Sequence, residues 1–172
     1  MIKLLRQLEK NPLSLEKISE LFPRLNATIY DDLPALPNID DLLKGRDAAC
    51  IYYTMHQNNR PQVGHFSLIM KSGNQYEYFS SYGFPPEMEI SLTHSNPGKL
   101  KHAFKNTKLI INRTRFQSIK NTDTCGRWVI LRYLLRNLEL KKFAALFTSK
   151  ITLNTKDDIA TIATLALTLG QK

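Results

Sequence analysis

Three β-rich runs in close succession constrain this chain more than any other feature: "ACIYYTM" (49–55), "HFSLIM" (65–70) and "QYEYFS" (75–80). Aromatic and β-branched residues fill them, and the polar connectors "HQNNRPQVG" and "KSGN" separate them, as expected for antiparallel strands of which the last two form a hairpin. Helical patterns flank this small sheet. Residues 2–10 and 14–22 precede it, the second helix opening near Ser14 with Glu16 in its first turn. After it come a short helical segment near 98–105, a strand "KLIINR" (108–113), a helix opened by "TDTC", and helices near 139–147 and 155–168. In the last of these, Ile159, Ile162, Ala163 and Ala166 share a stripe. "YDDLPALPNIDD" and "SYGFPPEMEI" read as Pro-punctuated loops. Helices, then strands, then helices predict an α+β fold with a small, antiparallel-rich central sheet packed against helices.

At 172 residues and 42% hydrophobic content, the chain is expected to form a single domain over 1–172. Charges every few residues interrupt its N-terminal stretch, and nowhere do 18 apolar residues run together, so neither a signal peptide nor a membrane span is expected. Cys50 and Cys125 lie 75 residues apart without Cys or His at metal-ligand spacing, which fits neither a disulfide framework nor a zinc site. Free thiols in a reducing, intracellular setting are the expectation.

The net charge of +9 is concentrated. Residues 1–96 carry −2, residues 97–150 carry 13 Lys/Arg against 2 Asp/Glu, and residues 151–172 balance. In "KLKHAFKNTKLIINRTRF" basic and apolar residues alternate, so the cations should line a folded surface. Such a face suits a polyanion such as DNA, or serves solubility alone.

Within "NTDTCGRWVILRYLLRN" (121–137), Asp123 or Thr122 is a credible N-cap, placing Cys125 in the first turn of an apolar helix. Unpaired N–H groups and the helix dipole stabilise a thiolate there, although a free cysteine is more often a small buried hydrophobe. Gly126 implies a close approach to the backbone, by a substrate for example. A thiolate nucleophile needs a base, and among His56, His65, His94 and His102 only His65 begins a strand, after Gly64 and beside an apolar run. Cys50, at the start of the first strand, reads as a buried hydrophobe.

Taken together, "GHFSLIM…YEYFSSYGF" and "FQSIKNTDTCG" resemble the catalytic frame of the adenain and ubiquitin-like-protein protease superfamily. Its pattern has Gly-His-Trp opening one strand, an acid at the end of the next with an aromatic-glycine stretch after it, and a glutamine shortly before Cys-Gly. The resemblance covers roughly residues 48–138. It implies an adenain-like fold, circularly related to papain, with His65 as general base, Gln117 as oxyanion-hole donor and Cys125 as nucleophile. Tyr82, Gly83 and Phe84 match the aromatic-glycine stretch and tilt the likeness toward the viral branch. A viral or virus-like source, processing of virion precursors, DNA as an activator and a place in the virion or the infected cell's cytoplasm or nucleus are then implied.

Two departures stand out. Phe66 replaces the tryptophan, which keeps an aromatic wall. Ser80, with Ser81 next to it, occupies the place of the acid that orients the histidine. A tight "KSGN" turn would bring residues 80–82 opposite His65, so that a serine or water holds the ring; otherwise a carboxylate arrives from elsewhere, with Glu87, Glu77 and Asp123 as candidates. Arg113 and Arg115 could bind an acidic substrate or nucleic acid, or be solvated. Trp128 is expected in the core beside the site, with substrate binding as its other role. Two further functions remain open at this level: a protease of ubiquitin-like modifiers, and a catalytically weak descendant that binds nucleic acid or a capsid partner.

Overall fold

The computed structural model describes residues 7–8, 10–55, 63–92, 96–105, 107–117, 123–147 and 156–169. Most of the helix expected over 2–10, together with His56 and His94, lies outside these residues. Helices α1 (Leu15–Leu21), α2 (Ile39–Leu43), α3 (Pro86–Ser91), α4 (Lys101–Lys105), α5 (Cys125–Leu134), α6 (Leu140–Ala145) and α7 (Lys156–Leu169) surround five strands. The strands are β1 (Leu25–Ile29), β2 (Ala48–Met55), β3 (Val63–Ser72), β4 (Gln75–Ser80) and β5 (Leu109–Ile111). They lie side by side in sequence order in one mixed sheet. The centre is antiparallel as expected, whereas β1 pairs with β2 and β5 with β4 in parallel. The fold is α+β.

Register follows from the turn. Ser72 pairs with Gln75, so the β3–β4 loop is two residues long, with Gly73 at φ +60° in the first position, where a type II′ turn requires glycine. From there the ladder runs to Ser67 opposite Ser80. Because side chains alternate faces, each strand feeds two cores. Cys50, Leu68, Met70 and Phe79 join α1, α5, α6 and α7 on one side. Ile51, Tyr53, Ile69 and Tyr78 meet α2, α3 and α4 on the other.

Helix α5 buries Cys125 through Tyr133 without a break, and each fully enclosed apolar side chain there is worth about 1.5–3 kcal/mol. Two arginines are enclosed with it and need partners. Arg132 Nε and Nη2 donate to the Glu77 carboxylate at 2.7 Å each, and its other N–H groups reach the carbonyls of Leu135 and Leu138. Arg127 donates to the carbonyls of Leu8 and Asn11 and to the Thr164 hydroxyl. The expectation that the cations of 97–150 line the surface therefore fails for these two, which hold the fold together internally. No helix among the described residues is long and apolar enough to cross a membrane.

Candidate active site

Cys125 is the first residue of α5 and is buried. Thr124 occupies the N-cap position, but its hydroxyl does not cap the helix. It donates instead to Asp157 Oδ1 on α7, which also accepts the Trp128 indole N–H at 2.9 Å. The first turn is thus fixed from behind, and the Thr124 hydroxyl leaves its N–H groups uncovered.

His65 lies near the start of β3 and is fully enclosed. Its Nε2 stands 3.2 Å from Glu89 Oε1 and 3.3 Å from Ser80 Oγ. Ser67, two residues along the same face of β3, donates to the other carboxylate oxygen of Glu89 at 3.0 Å. Tyr82 stacks on the imidazole at 4.5 Å. Burial opposes a charge on His65, yet the Glu89 carboxylate, followed by hydrogen-bonding interaction of the charged ring with Cys125 and with Glu89, outweighs it and raises the pKa to about 10. Neither Nδ1 nor Glu89 Oε1 has an aligned hydrogen bond, so Glu89 meets the ring as a close charge, and Cys125 is near enough to contribute to raising the imidazole's pKa.

The carboxylate beside the imidazole is therefore Glu89, which sequence reasoning did not single out. Glu77 is committed to Arg132, Glu87 is exposed, and Asp123 sits half-buried at the mouth of a cleft beside Cys125. Ser80 does touch the imidazole, as the hairpin register required, and it also accepts the Tyr82 N–H at 3.2 Å. The signal for Glu89 was present in "PPEMEI". Proline is favoured in a first helical turn, so Pro86 opens a helix and Glu89 falls on its buried side. The stretch is helix α3, not the loop expected.

Gln117 is buried beside this cluster. Its Oε1 accepts the Ser81 hydroxyl at 2.7 Å, while the Phe116 and Gln117 N–H groups donate to the Ser81 carbonyl. Arg115 Nε donates to the Gln117 carbonyl at 3.2 Å, so this exposed arginine braces the glutamine's backbone. Arg113 is also exposed. Gly83 has φ +74°, and a Cβ there would lie 3.0 Å from the Arg113 carbonyl oxygen; this close contact lets the Tyr82-Gly83-Phe84 turn seat its aromatic ring on His65.

Two expectations change. At Gly126 a Cβ would meet Leu13 and Phe66 at 3.3 Å, so the close approach is packing of α5 against its own neighbours and not against a substrate. Trp128 is wholly buried among Phe116 and Phe147, which leaves it no access to substrate or nucleic acid. Cys50 is enclosed as expected, and burial pushes its thiol far up.

A cleft of about 450 Å³ opens beside Cys125, lined by the chain from Pro12 to Glu16 and by Ile29, Tyr52, Gly64, Phe66 and Asp123. Its size is that of a ligand site. No protein-family model matches the sequence. The chain is 29% identical over 155 residues to "Uncharacterized protein V9" of Sputnik virophage, a match that covers 83% of this chain and 86% of that protein. The chain has a viral relative.

Proposed function

We propose that the protein is a cysteine endopeptidase that processes virion precursor proteins. What supports this best is the enclosed His65, held at Nε2 by a carboxylate and a hydroxyl and acting on Cys125 at the head of α5. Cys125 Sγ attacks the peptide carbonyl as thiolate, forming a C–S bond while the electron pair moves to oxygen. The Gln117 amide and the Cys125 backbone N–H stabilise that oxyanion. Its collapse breaks the C–N bond, and the departing amine takes the proton from His65. Water, deprotonated by the same ring, then cleaves the thioester and restores the thiol–imidazole pair. Glu89 and Ser80 hold the ring in one orientation, and the carboxylate stabilises its charged form. The weak-descendant reading rested on a missing acid, and Glu89 removes that reason. The viral relative supports a viral substrate.

The test is iodoacetamide labelling across about pH 4 to 9 alongside cleavage of capsid precursors from the same source. Wild type should label at Cys125 well below the range of an ordinary thiol and should cleave, and Cys125→Ala and His65→Ala should do neither. A Cys125 that behaves like a free thiol, with no cleavage, overturns the reading.

A further inference from the structure

The cleft beside Cys125 has a composition unlike the rest of the molecule. Leu13, Ile29, Tyr52 and Phe66 make its walls apolar. Among the described residues that line it, the ionisable groups besides the Cys125 thiol and the Tyr52 phenol are two carboxylates, Glu16 and Asp123. In a chain of net charge +9, the described lining of the entrance to the nucleophile is therefore acidic. Glu16 is solvent-exposed, and hydrogen bonds from its own backbone N–H and then from Ser14 hold its carboxyl below the usual range. Asp123 lies two residues before Cys125.

Backbone geometry makes one wall permanent. A Cβ on Gly64 would fall 1.8 Å from the Tyr52 ring, so the ring lies directly across the strand at that residue, and it packs at a tilt of 48° against Phe66 with ring centroids 4.7 Å apart. The glycine before His65 thus exists to seat an aromatic wall.

We propose that this cleft selects the substrate segment, taking an aliphatic side chain against Tyr52 and Phe66 with a lysine or arginine beside it facing Glu16 and Asp123. The inference rests on the cysteine protease reading and adds to it a substrate class, basic-apolar segments. A lysine or arginine satisfies both walls at once, because its methylene stem packs on apolar surface while its head reaches a carboxylate. An acidic residue there meets like charge on both sides, which penalises it as much as the matched pair is rewarded.

The experiment uses the full chain and peptidyl acyloxymethyl ketones that carry leucine, with lysine, glutamine or glutamate at each neighbouring position in turn. Labelling of Cys125 is followed by intact mass, and every rate is divided by the iodoacetamide rate of the same variant. At one position lysine should label several-fold faster than glutamate, the scale of one or two partly exposed ion pairs. Glu16→Lys should abolish or invert that ratio, and Asp123→Asn should reduce it. Equal labelling by all three peptides overturns the proposal while leaving the protease reading intact, as does a lysine preference that neither variant changes. No labelling by any peptide, with Cys125 still open to iodoacetamide, overturns both.

Discussion

At the level of single residues, the site turns on how the imidazole of His65 is held. Ser80 stands where the resemblance expects the acid, and it stays in contact with the ring while Glu89, from helix α3 on the same face of the sheet, supplies the charge. Two-residue periodicity accounts for the substitution. His65 and Ser67 point to the face that α3 covers, so a carboxylate on α3 meets both. Cys125, His65 and Gln117 were legible because they sit in short local motifs. Glu89 was not, because it reaches His65 by tertiary packing across 24 positions of sequence. Its charge has a measurable consequence. The folded pKa of His65 is raised from 6.5 to about 10, so between those values the native state keeps a proton that the unfolded chain has lost. The stability this contributes is fully present below about pH 6.5 and disappears as pH rises toward 10. Urea unfolding of wild type from about pH 6 to 10 should show midpoints falling with pH, and Glu89→Gln should flatten that slope. The same variant should lower peptide cleavage on the order of 10²–10⁴-fold, the span of a general acid–base contribution. An unchanged pH slope in Glu89→Gln would show that another group holds the ring.

Among the elements, those with a local apolar or β-branched pattern follow from sequence, the short α4, α6 and β5 included, and those without one do not. Strands β2, β3 and β4, the hairpin register and helices α5 to α7 emerge from β-branched runs, a Ser-Gly-Asn turn and apolar periodicity. Helices α2 and α3 span five and six residues, less than two turns, too short for a repeating apolar pattern, and each is marked only at its start, by the Asn38 cap and by Pro86. Strand β1, a five-residue strand directly after Pro23 and Arg24, gains its identity by pairing with β2, which no local signal carries. Helix α5 is the element on which the rest converges. Arg132 ties it to β4 through Glu77, and Thr124 and Trp128 tie its head to α7 through Asp157. Removing one partner of an enclosed pair strands the other charge, and arginine cannot shed its proton. Glu77→Ala should therefore lower unfolding stability by about 3–5 kcal/mol in denaturant titration. Cys125 in the fraction that remains folded should keep its reactivity, because Glu77 contacts Arg132 and not His65. Loss of His65-dependent labelling in folded Glu77→Ala would mean that the carboxylate serves the site as well as the fold.

Over the whole molecule, charge sorts by location. The described lining of the Cys125 cleft carries Glu16 and Asp123, and none of the described cations of 97–150 is among its lining residues. Lys101, Lys105, Lys108, Arg113 and Arg115 are exposed along α4, the edge strand β5 and the segment after it. Two physical accounts fit that placement. Cations beside an edge strand discourage pairing with another copy, and a run of cations on one stretch of surface attracts a polyanion. The accounts differ in what charge reversal does. If the run serves DNA, duplex binding should be measurable by fluorescence anisotropy at about 50 mM salt and weaken steeply toward 200 mM. Lys101→Glu with Lys105→Glu should then weaken it at every salt concentration while the protein stays monodisperse. If the run only guards the edge, wild type binds no DNA under the same conditions, and reversal at Lys108 and Arg113, which flank β5, produces aggregation instead. We expect the first outcome, because Lys101 and Lys105 belong to α4 and not to the edge strand, so edge protection gives no reason for their charge.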